Sequence, residues 1–343
     1  MTLLQRLVYV IGGGDLSPAA RRNQLWAMVI GYMAIAVFFA AISGGFWRIN
    51  LTAAYAVMLA LMGSSVLFGQ LGLVSLCQFA LVGVGGWVAL RLTHMGLPFE
   101  VGLIGGGVIA SLVGVIWGLP ALRMRGIYLA LVTLMLAGAF QTVISAWSFP
   151  AGGTGFFGTG GIQGGQRELM PRPFLAEGDV SYFFYCTIVA LLGLILIELH
   201  RNAKAGRSWA LIKKDPRLAA ASGVSILKYQ AWAFALAGFL AGVGGGLLAG
   251  TYRQLDATAF GASESIVLFA ATILGGTTNW IGIVLGGILM RLVPLILNDL
   301  GTSAAISTAI FGFALMMAIV GGPEGLAGLF DKAYDKVVDK VRR

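Results

Sequence analysis

The sequence predicts an all-α integral membrane protein with about ten transmembrane helices. Hydrophobic residues make up 58% of the 343 residues and charged residues only 11%, whereas soluble domains carry roughly 25% charged residues. Glycine, at 51 residues, suits close helix packing in lipid. Apolar stretches near the ~20 residues that a spanning helix needs recur along the chain. A soluble fold could not bury this much apolar surface.

The elements follow in order along the chain. In residues 1–25, apolar residues at helical spacing around Arg6 predict a short amphipathic cytoplasmic helix on the membrane surface. The transmembrane domain is predicted over 26–320 and a cytoplasmic tail over 321–343. A bilayer-length window places the spans at 26–43, 51–68, 71–93, 99–118, 127–147, 180–199, 229–250, 263–277, 279–297 and 303–320. Span three is rich in Gly, Ser and Gln and span eight is short, so either is a candidate for a broken or re-entrant helix.

Charge predicts the orientation, because Lys and Arg beside spans stay in the cytoplasm. Four basic places are therefore expected inside: Arg21 and Arg22, Arg123 and Arg125, the loop 200–228, and the tail. The loop 148–179 carries two arginines against three acids and is expected outside. Both termini are then cytoplasmic. Since orientation accounts for the net charge of +9, no nucleic-acid partner is expected.

The spans contain little reactive chemistry. No carboxylate falls in the middle of a predicted span, which argues against an ion-coupled carrier. No Walker-type phosphate-binding motif is present, so the chain is not expected to hydrolyse ATP itself. Cys77 and Cys186 lie in apolar stretches and predict neither a disulfide nor a zinc site. The sequence therefore predicts no catalytic residue, metal or cofactor.

The loop 200–228 is the most informative polar segment. It carries seven Lys and Arg residues against one acid, Asp215. A helix is predicted over Arg207–Leu218, with an apolar face of Trp209, Leu211, Ile212 and Leu218. Pro216 is expected either to end that helix or to begin a second one at its first turn. Two interpretations stay open, a docking surface for another protein and an amphipathic loop in which Lys213 and Lys214 bind the lipid surface.

Six blocks stand out along the chain: GQLGLVSLCQFALVGVGGWVALRL (69–92), RMRGIYLALVTLML (123–136), the glycine-rich stretch 152–165, GRSWALIKKDPRLAAASGVSILKYQAWAF (206–234), LGGTTNWIGIVLGG (274–287) and GPEGL (322–326). These blocks resemble the branched-chain amino-acid permeases of ABC importers, and the LivM-like members most closely. They follow the family's order over about residues 55–327. Two departures are Cys77-Gln78, where Gly-His is commoner, and Lys214-Asp215-Pro216, where an acidic pair is usual.

The resemblance implies a type II-like ABC importer permease in the bacterial inner membrane. It implies a homologous LivH-like permease, two ABC ATPase subunits that bind the ATP, and an extracytoplasmic solute-binding protein as partners. The loop 200–228 would then hold the coupling helix that contacts an ATPase, with Gly206, Arg207, Asp215, Ala219, Ala220 and Gly223 as its candidate residues. Branched-chain amino acids are the expected solute.

Uncharged polar residues in the spans are candidates for the solute pathway: Gln70, Ser75, Gln78, Gln141, Thr277, Thr278 and Asn279. If 71–93 is one helix, Gln70 and Gln78 lie within ~80° of each other and Ser75 joins that side. Such groups suit a zwitterionic solute that must be released. The alternative is that they only bond one helix to another.

Other functions stay open from the sequence. The same architecture imports urea, short amides or other amino acids. A stand-alone channel or secondary carrier is the alternative from a different class, since unwound backbone can also bind Na⁺.

Overall fold

The computed structural model describes residues 18–122, 124, 126–158, 168–277, 280–300, 306, 309, 312 and 313. Throughout this part of the chain the regular elements are helices. They are α1 (Pro18–Ile42), α2 (Gly45–Ser65), α3 (Gln78–His94), α4 (Phe99–Gly118), α5 (Ile127–Trp147), α6 (Asp179–Asn202), α7 (Lys204–Lys214), α8 (Pro216–Ala221), α9 (Ile226–Tyr252), α10 (Ala262–Gly275) and α11 (Trp280–Asp299).

Six helices are long and apolar enough to cross a membrane. They are α2 with its extension to Gln70, α4, α5, α6, α9 and α11, and they confirm six predicted spans. The first predicted span corresponds to a shorter apolar stretch, Met28–Ala41, within a helix that already begins at Pro18. The tenth, 303–320, lies outside the described residues apart from 306, 309, 312 and 313.

The third predicted span, 71–93, is a broken helix. α2 continues through a π-helical turn, Val66–Gln70, and residues 72–77 are not helical before α3 begins at Gln78. The break occurs at Gly72, whose φ of 70° lies in the left-handed region that favours glycine. The amide of Gly72 donates to Phe68 O at 3.0 Å and that of Leu73 to Leu67 O at 2.9 Å. These bonds terminate α2 as a glycine C-terminal cap.

The eighth predicted span is a short helix. α10 has 14 residues, which at 1.5 Å per residue gives about 21 Å, less than the ~30 Å hydrocarbon core. It ends at Gly275, and the next residue, Gly276, has a φ of 98°. The chain then turns, and α11 packs back on α10 with Gly282 against the backbone of Gly275.

Glycine contacts hold the centre of the bundle together. α9 packs on α4, α3 and α2. A Cβ added to Gly242 of α9 would lie 2.6 Å from Gly106 O, and one added to Gly106 would lie 2.5 Å from Gly85 O. The backbones of three helices therefore touch without side chains between them, as small-residue packing in membranes requires. The glycine pairs at 102/106, 242/246 and 282/286 are thus packing faces.

The predicted helix Arg207–Leu218 is two helices, α7 and α8. Asp215 separates them in an extended conformation, and its carboxylate accepts from the amides of Arg217 at 2.8 Å and Leu218 at 3.4 Å. Pro216 occupies the first turn of α8, where its missing N–H costs nothing. Of the alternatives for Pro216, the start of a second helix is therefore confirmed.

The predicted single apolar face of this segment is wrong. Trp209 is fully buried against the bundle, with its indole N–H donating to Tyr229 O at 2.8 Å, and Ile212 is buried beside it. Leu218 lies on α8 and is 49% exposed. Because the break at Asp215 turns α8 away from α7, the two helices present their apolar side chains in different directions.

The opposite end of the bundle is fixed by one arginine. Arg172 donates to Gly250 O at 3.0 Å and to Thr251 O at 3.3 Å, at the end of α9. It also forms an ion pair with Asp179 at 2.7 Å, and its guanidinium lies 4.6 Å from the ring centre of Tyr182. A cation at a helix C-terminus is favourable. Arg172 thus ties the loop before α6 to α9.

The glycine contacts predict an asymmetric response to alanine. Gly242→Ala should lower the stability of the purified protein by about 1–3 kcal/mol, because the added methyl overlaps Gly106. The matched control is Gly138→Ala, on α5, where an added Cβ meets nothing within 4 Å. Thermal unfolding in detergent measures both. Equal stability of the two variants would contradict the packing described for α9.

The orientation is tested by labelling exposed positions at the two ends. In a chain without Cys77 and Cys186, Leu175→Cys and Ala210→Cys place single thiols on exposed sites. A membrane-impermeant maleimide should reach position 210 from the cytoplasmic side only and position 175 from the outer side only. Labelling of both from one side would contradict the predicted topology.

Candidate functional site

The candidate site is centred on the interruption between α2 and α3. We call residues 66–77, the π-helical turn with the non-helical residues after it, the break segment. At its first part, Gly69 O accepts from the ammonium of Lys213 at 2.8 Å. A Cβ added to Gly69 would lie 2.9 Å from Cβ of Thr277. The break segment therefore contacts both α7 and the turn between α10 and α11.

The second part of the break segment is held by α5. The amide of Leu76 donates to Thr133 Oγ1 at 2.9 Å. Thr133 is fully buried, and its hydroxyl lies 2.9 Å from Leu129 O and 3.0 Å from Ala130 O, so it accepts from Leu76 while donating to its own helix. Ser75 Oγ lies 3.3 Å from Cys77 Sγ. At Leu76 the non-helical backbone is thus satisfied by a side chain, as a membrane interior requires.

Gln78 is the first residue of α3, and the polar atoms of its side chain, unlike the amide of Leu76, have no hydrogen-bond partner among the described residues. It is 1% exposed, yet neither its amide nitrogen nor its amide oxygen has a hydrogen-bond partner within the described ranges. A buried amide without partners costs free energy, on the order of 1–3 kcal/mol in proteins. The fold therefore buries the side-chain amide of Gln78 without a hydrogen bond to any described neighbour.

The predicted common side of Gln70, Ser75 and Gln78 on one helix is wrong. Gln70 ends the π-helical turn, Ser75 lies in the non-helical part, and Gln78 begins α3. The left-handed backbone at Gly72 interrupts the helix between them. Ser75 and Gln78, three residues apart, are nonetheless both buried. Gln70, which precedes Gly72, is half-buried.

The remaining pathway candidates do not form one group. Thr277 joins the break segment through Gly69. Gln141, on α5, lies beside Gly261, which precedes α10, whereas Thr277 follows α10. The 14 residues of α10 thus separate them by about 21 Å. Thr278 and Asn279 lie outside the described residues.

The predicted coupling residues surround the α7–α8 corner. Gly206 is buried where any side chain would overlap the backbone of Arg201. Asp215 is the N-cap of α8, as described above. The exposed Arg207 donates to Asn202 O at 3.4 Å.

The outer face of α8 is small and apolar. Ala219 is buried, but Ala220 is exposed, and Leu218 stands beside it. Gly223 follows α8 with a φ of 78° and has open space around its Cα, while Val224 N donates to Ala219 O at 3.0 Å. The corner therefore offers a capped surface, with the exposed Lys214 and Arg217 at its rim.

Two residues that the sequence analysis did not single out, Thr133 and Arg291, contribute to this region or to a second one. The hydrogen bonds of Thr133 to Leu76 and of Lys213 to Gly69 depend on long-range packing and carry no sequence signal. Arg291 lies in the middle of α11. Its guanidinium is 5.4 Å from the ring centre of Tyr252 and donates a hydrogen bond to the Tyr252 hydroxyl. Its positive charge also interacts electrostatically with the carboxyl group of Glu264. A search for any charge within a predicted span, rather than for acids alone, finds Arg291. Within the described ranges, no three His, Cys, Asp or Glu side chains could hold a metal ion.

Comparisons with known proteins agree with this architecture. Residues 46–320 match the family described as "Branched-chain amino acid transport system / permease component". The chain is 24% identical over 323 residues to the high-affinity branched-chain amino acid transport system permease protein LivM of Salmonella typhimurium, covering 89% of this chain and 75% of that protein. The LivM protein of Escherichia coli is 25% identical over 283 residues, which are 77% of this chain and 66% of that protein.

A relative with a different printed solute is also similar. The autoinducer 2 import system permease protein LsrD of Yersinia enterocolitica is 25% identical over 254 residues, covering 70% of this chain and 74% of that protein. No solved structure matches the chain. Across these relatives, the chain spans about two thirds to three quarters of their length.

The hydrogen bonds of the site predict opposite effects of two substitutions. Thr133→Val should lower stability by about 1 kcal/mol, because the amide of Leu76 loses its acceptor. Gln78→Leu should leave stability unchanged or raise it, since it removes an amide without partners. Thermal unfolding of both variants in detergent is the measurement. If Gln78→Leu lowers stability as much as Thr133→Val, Gln78 bonds to a residue outside the described ranges.

Proposed function

The chain belongs to the branched-chain amino-acid transport permease family, and from this membership we propose that it is the membrane subunit through which an ABC importer moves a small polar solute inward. Branched-chain amino acids are the first candidate, because relatives covering most of the chain carry that solute in their names. The observation that carries the proposal is the contact at Gly69. There α7, which the charge pattern predicts to face the cytoplasm, touches the broken helix that contains the polar candidates.

The energy for transport is proposed to come from two partner ATPase subunits that dock on α8. The exposed surface of Leu218, Ala220 and Gly223 is small enough to fit a shallow apolar groove. The competing interpretation, a loop bound to anionic lipid, needs both Lys213 and Lys214 of α7 to face headgroups. Lys213 instead reaches the backbone of Gly69, which favours the docking surface.

The break segment is the proposed part of the solute pathway. Gln78 offers an amide that could bond to a passing carboxylate or ammonium group, because no described side chain occupies it. An uncharged group binds a zwitterion weakly enough for release. Ser75 and Thr277 are the further candidates in contact with this segment, whereas Gln141 would act elsewhere along the route.

The remaining partners follow from the family. A homologous LivH-like permease would complete the membrane pore, and an extracytoplasmic binding protein would deliver the solute. ATP would bind only to the ATPase subunits. The complex is proposed to lie in the bacterial inner membrane with both termini of this chain in the cytoplasm.

A different solute is the second candidate. The LsrD relative is named for autoinducer 2 import, so the same architecture serves at least one solute that is not an amino acid. Urea, short amides and other amino acids also remain open. Selection by a binding protein would explain how one permease architecture serves such different solutes.

The proposed function is tested in proteoliposomes that hold this chain with its partner permease, both ATPases and the binding protein. Radiolabelled leucine, isoleucine and valine should accumulate only when ATP is present on the ATPase side. Urea and autoinducer 2 are measured in parallel to identify the solute. Uptake by this chain alone, without the ATPase subunits, would instead show a stand-alone carrier or channel.

The docking surface is tested by one charge on α8. Ala220→Asp should abolish ATPase binding and uptake, because an unpaired carboxylate in an apolar groove costs several kcal/mol to desolvate. The matched control is Ala203→Asp, an exposed alanine at the N-cap of α7 where an aspartate is favourable. Copurification with the ATPases and ATP-driven uptake are measured for both. Normal ATPase binding by Ala220→Asp would exclude α8 as the docking helix.

A further inference from the structure

Lys213 makes a contact that a lipid-facing lysine would not make. Its Cα belongs to α7 and its side chain is exposed, yet the ammonium donates to Gly69 O at 2.8 Å, across 144 residues of sequence. The aliphatic part of the side chain crosses the break segment at Gly72. A Cβ added to Gly72 would lie 3.4 Å from Cγ of Lys213. Glycine at this position thus serves the left-handed turn and the passage of the lysine together.

The carbonyl that Lys213 binds is one that the broken helix leaves without its usual partner. In a continued α-helix, Gly69 O would accept from the amide of Leu73. That amide donates to Leu67 O at 2.9 Å instead. The end of a helix also carries partial negative charge, which favours a cation. Lys213 therefore donates a charge-assisted hydrogen bond to the Gly69 carbonyl, which the broken helix leaves without a backbone donor.

The bond lies between two regions that transport must connect. On one side is the α7–α8 corner, where α8 follows α7 directly through Asp215. On the other side is the break segment, which contacts Thr277 at Gly69 and continues to Ser75, Cys77 and Gln78. Apart from Lys213, α7 is attached to the bundle through buried side chains such as Trp209, which bonds to Tyr229 at the start of α9.

We propose that Lys213 is a positioning residue that transmits movement of α7 to the break segment through its bond to the Gly69 carbonyl. A displacement of α7 would pull on the end of α2 and change the path of residues 72–77, where no helix holds the chain. The inference rests on the proposed function, because the displacement is attributed to the ATPases docked on α8.

Lys214 supplies a matched control. It is the next residue on α7, it is exposed, and it carries the same charge at the same membrane surface. No hydrogen bond or ion pair from its side chain to the described residues is recorded in the structure. A general need for positive charge at this surface would make the two lysines equivalent, whereas a specific bond to Gly69 would not.

Cys77 provides a direct readout of the break segment. The sequence has two cysteines, and both are buried and free. With Cys186 changed to alanine and the partner chains free of cysteine, Cys77 is the single thiol of the complex. Its reaction with a small maleimide is measured in liposomes holding the complete complex, before and after nucleotide is trapped with vanadate. Uptake is measured on the same preparations.

We expect trapped nucleotide to change the labelling rate of Cys77 several-fold in the chain with Lys213 intact. Lys213→Met should remove that change and lower uptake roughly tenfold or more, because the charge-assisted bond is lost. Lys213→Arg keeps a charged donor and should restore both. Lys214→Met should behave like the parent chain. Copurification of every variant with its partners establishes that the complex is assembled.

Three results would overturn the inference. Lys213→Met could retain the full nucleotide-dependent change in labelling, Lys214→Met could lose it equally, or the parent complex could transport solute with no change at Cys77. Failure of the proposed function has a different signature. In that case the parent chain does not copurify with ATPases and shows no ATP-driven uptake, whichever residue occupies position 213.

Discussion

The structure depends on one constraint, which is that backbone polar groups freed within a membrane must find partners inside the protein. The break segment meets it at three places. Leu73 N bonds to Leu67 O, Leu76 N to Thr133 Oγ1, and Gly69 O to Lys213. Leu67 lies in the break segment itself, whereas Thr133 lies on α5 and Lys213 on α7, so the interruption after α2 is also the point where α5 and α7 are attached.

The glycine contacts around α9 provide the rigid part of the molecule. The backbones of Gly85, Gly106 and Gly242 touch, so α3, α4 and α9 cannot slide without overlap. The break segment is held by its hydrogen bonds to Thr133 and Lys213 and by the close approach of Gly69 to Thr277. Under the proposed function, movement is expected at the hydrogen bonds, which can exchange, with α9 and its neighbours as the fixed frame.

At the candidate site the backbone has hydrogen-bond partners, whereas a buried side chain does not. The backbone of residues 72–77 is supported by Thr133, whereas the amide of Gln78 has no partner in the described part of the chain. An unpaired buried amide lowers stability unless something else bonds to it. In the proposed function a solute in transit would be such a partner, and its bond would be transient because the amide is uncharged. Under that proposal, stability and transport place different demands on neighbouring residues.

The sequence by itself determined the membrane class, six spans, the close glycine packing and the two alternatives for Pro216. These features are local, since hydropathy, spacing and a proline at a first turn act within one stretch of chain. The family resemblance added the expected partners. The sequence did not locate the interruption of span three. Its composition suggested a broken helix, but the position of the break is set by the left-handed backbone at Gly72, which only the structure shows.

Tertiary structure decided which residues act together. Lys213 and Gly69 are 144 residues apart, and nothing in either segment predicts that an exposed lysine caps a helix in the bundle. The single helical side expected for Gln70, Ser75 and Gln78 failed because Gly72 takes a left-handed conformation between them, with the amides of Gly72 and Leu73 bonded back to Phe68 O and Leu67 O. Whether a buried amide is satisfied is likewise a property of its neighbours. Sequence periodicity reports which face of a helix is apolar, but hydrogen bonds between distant segments exist only once those segments have packed.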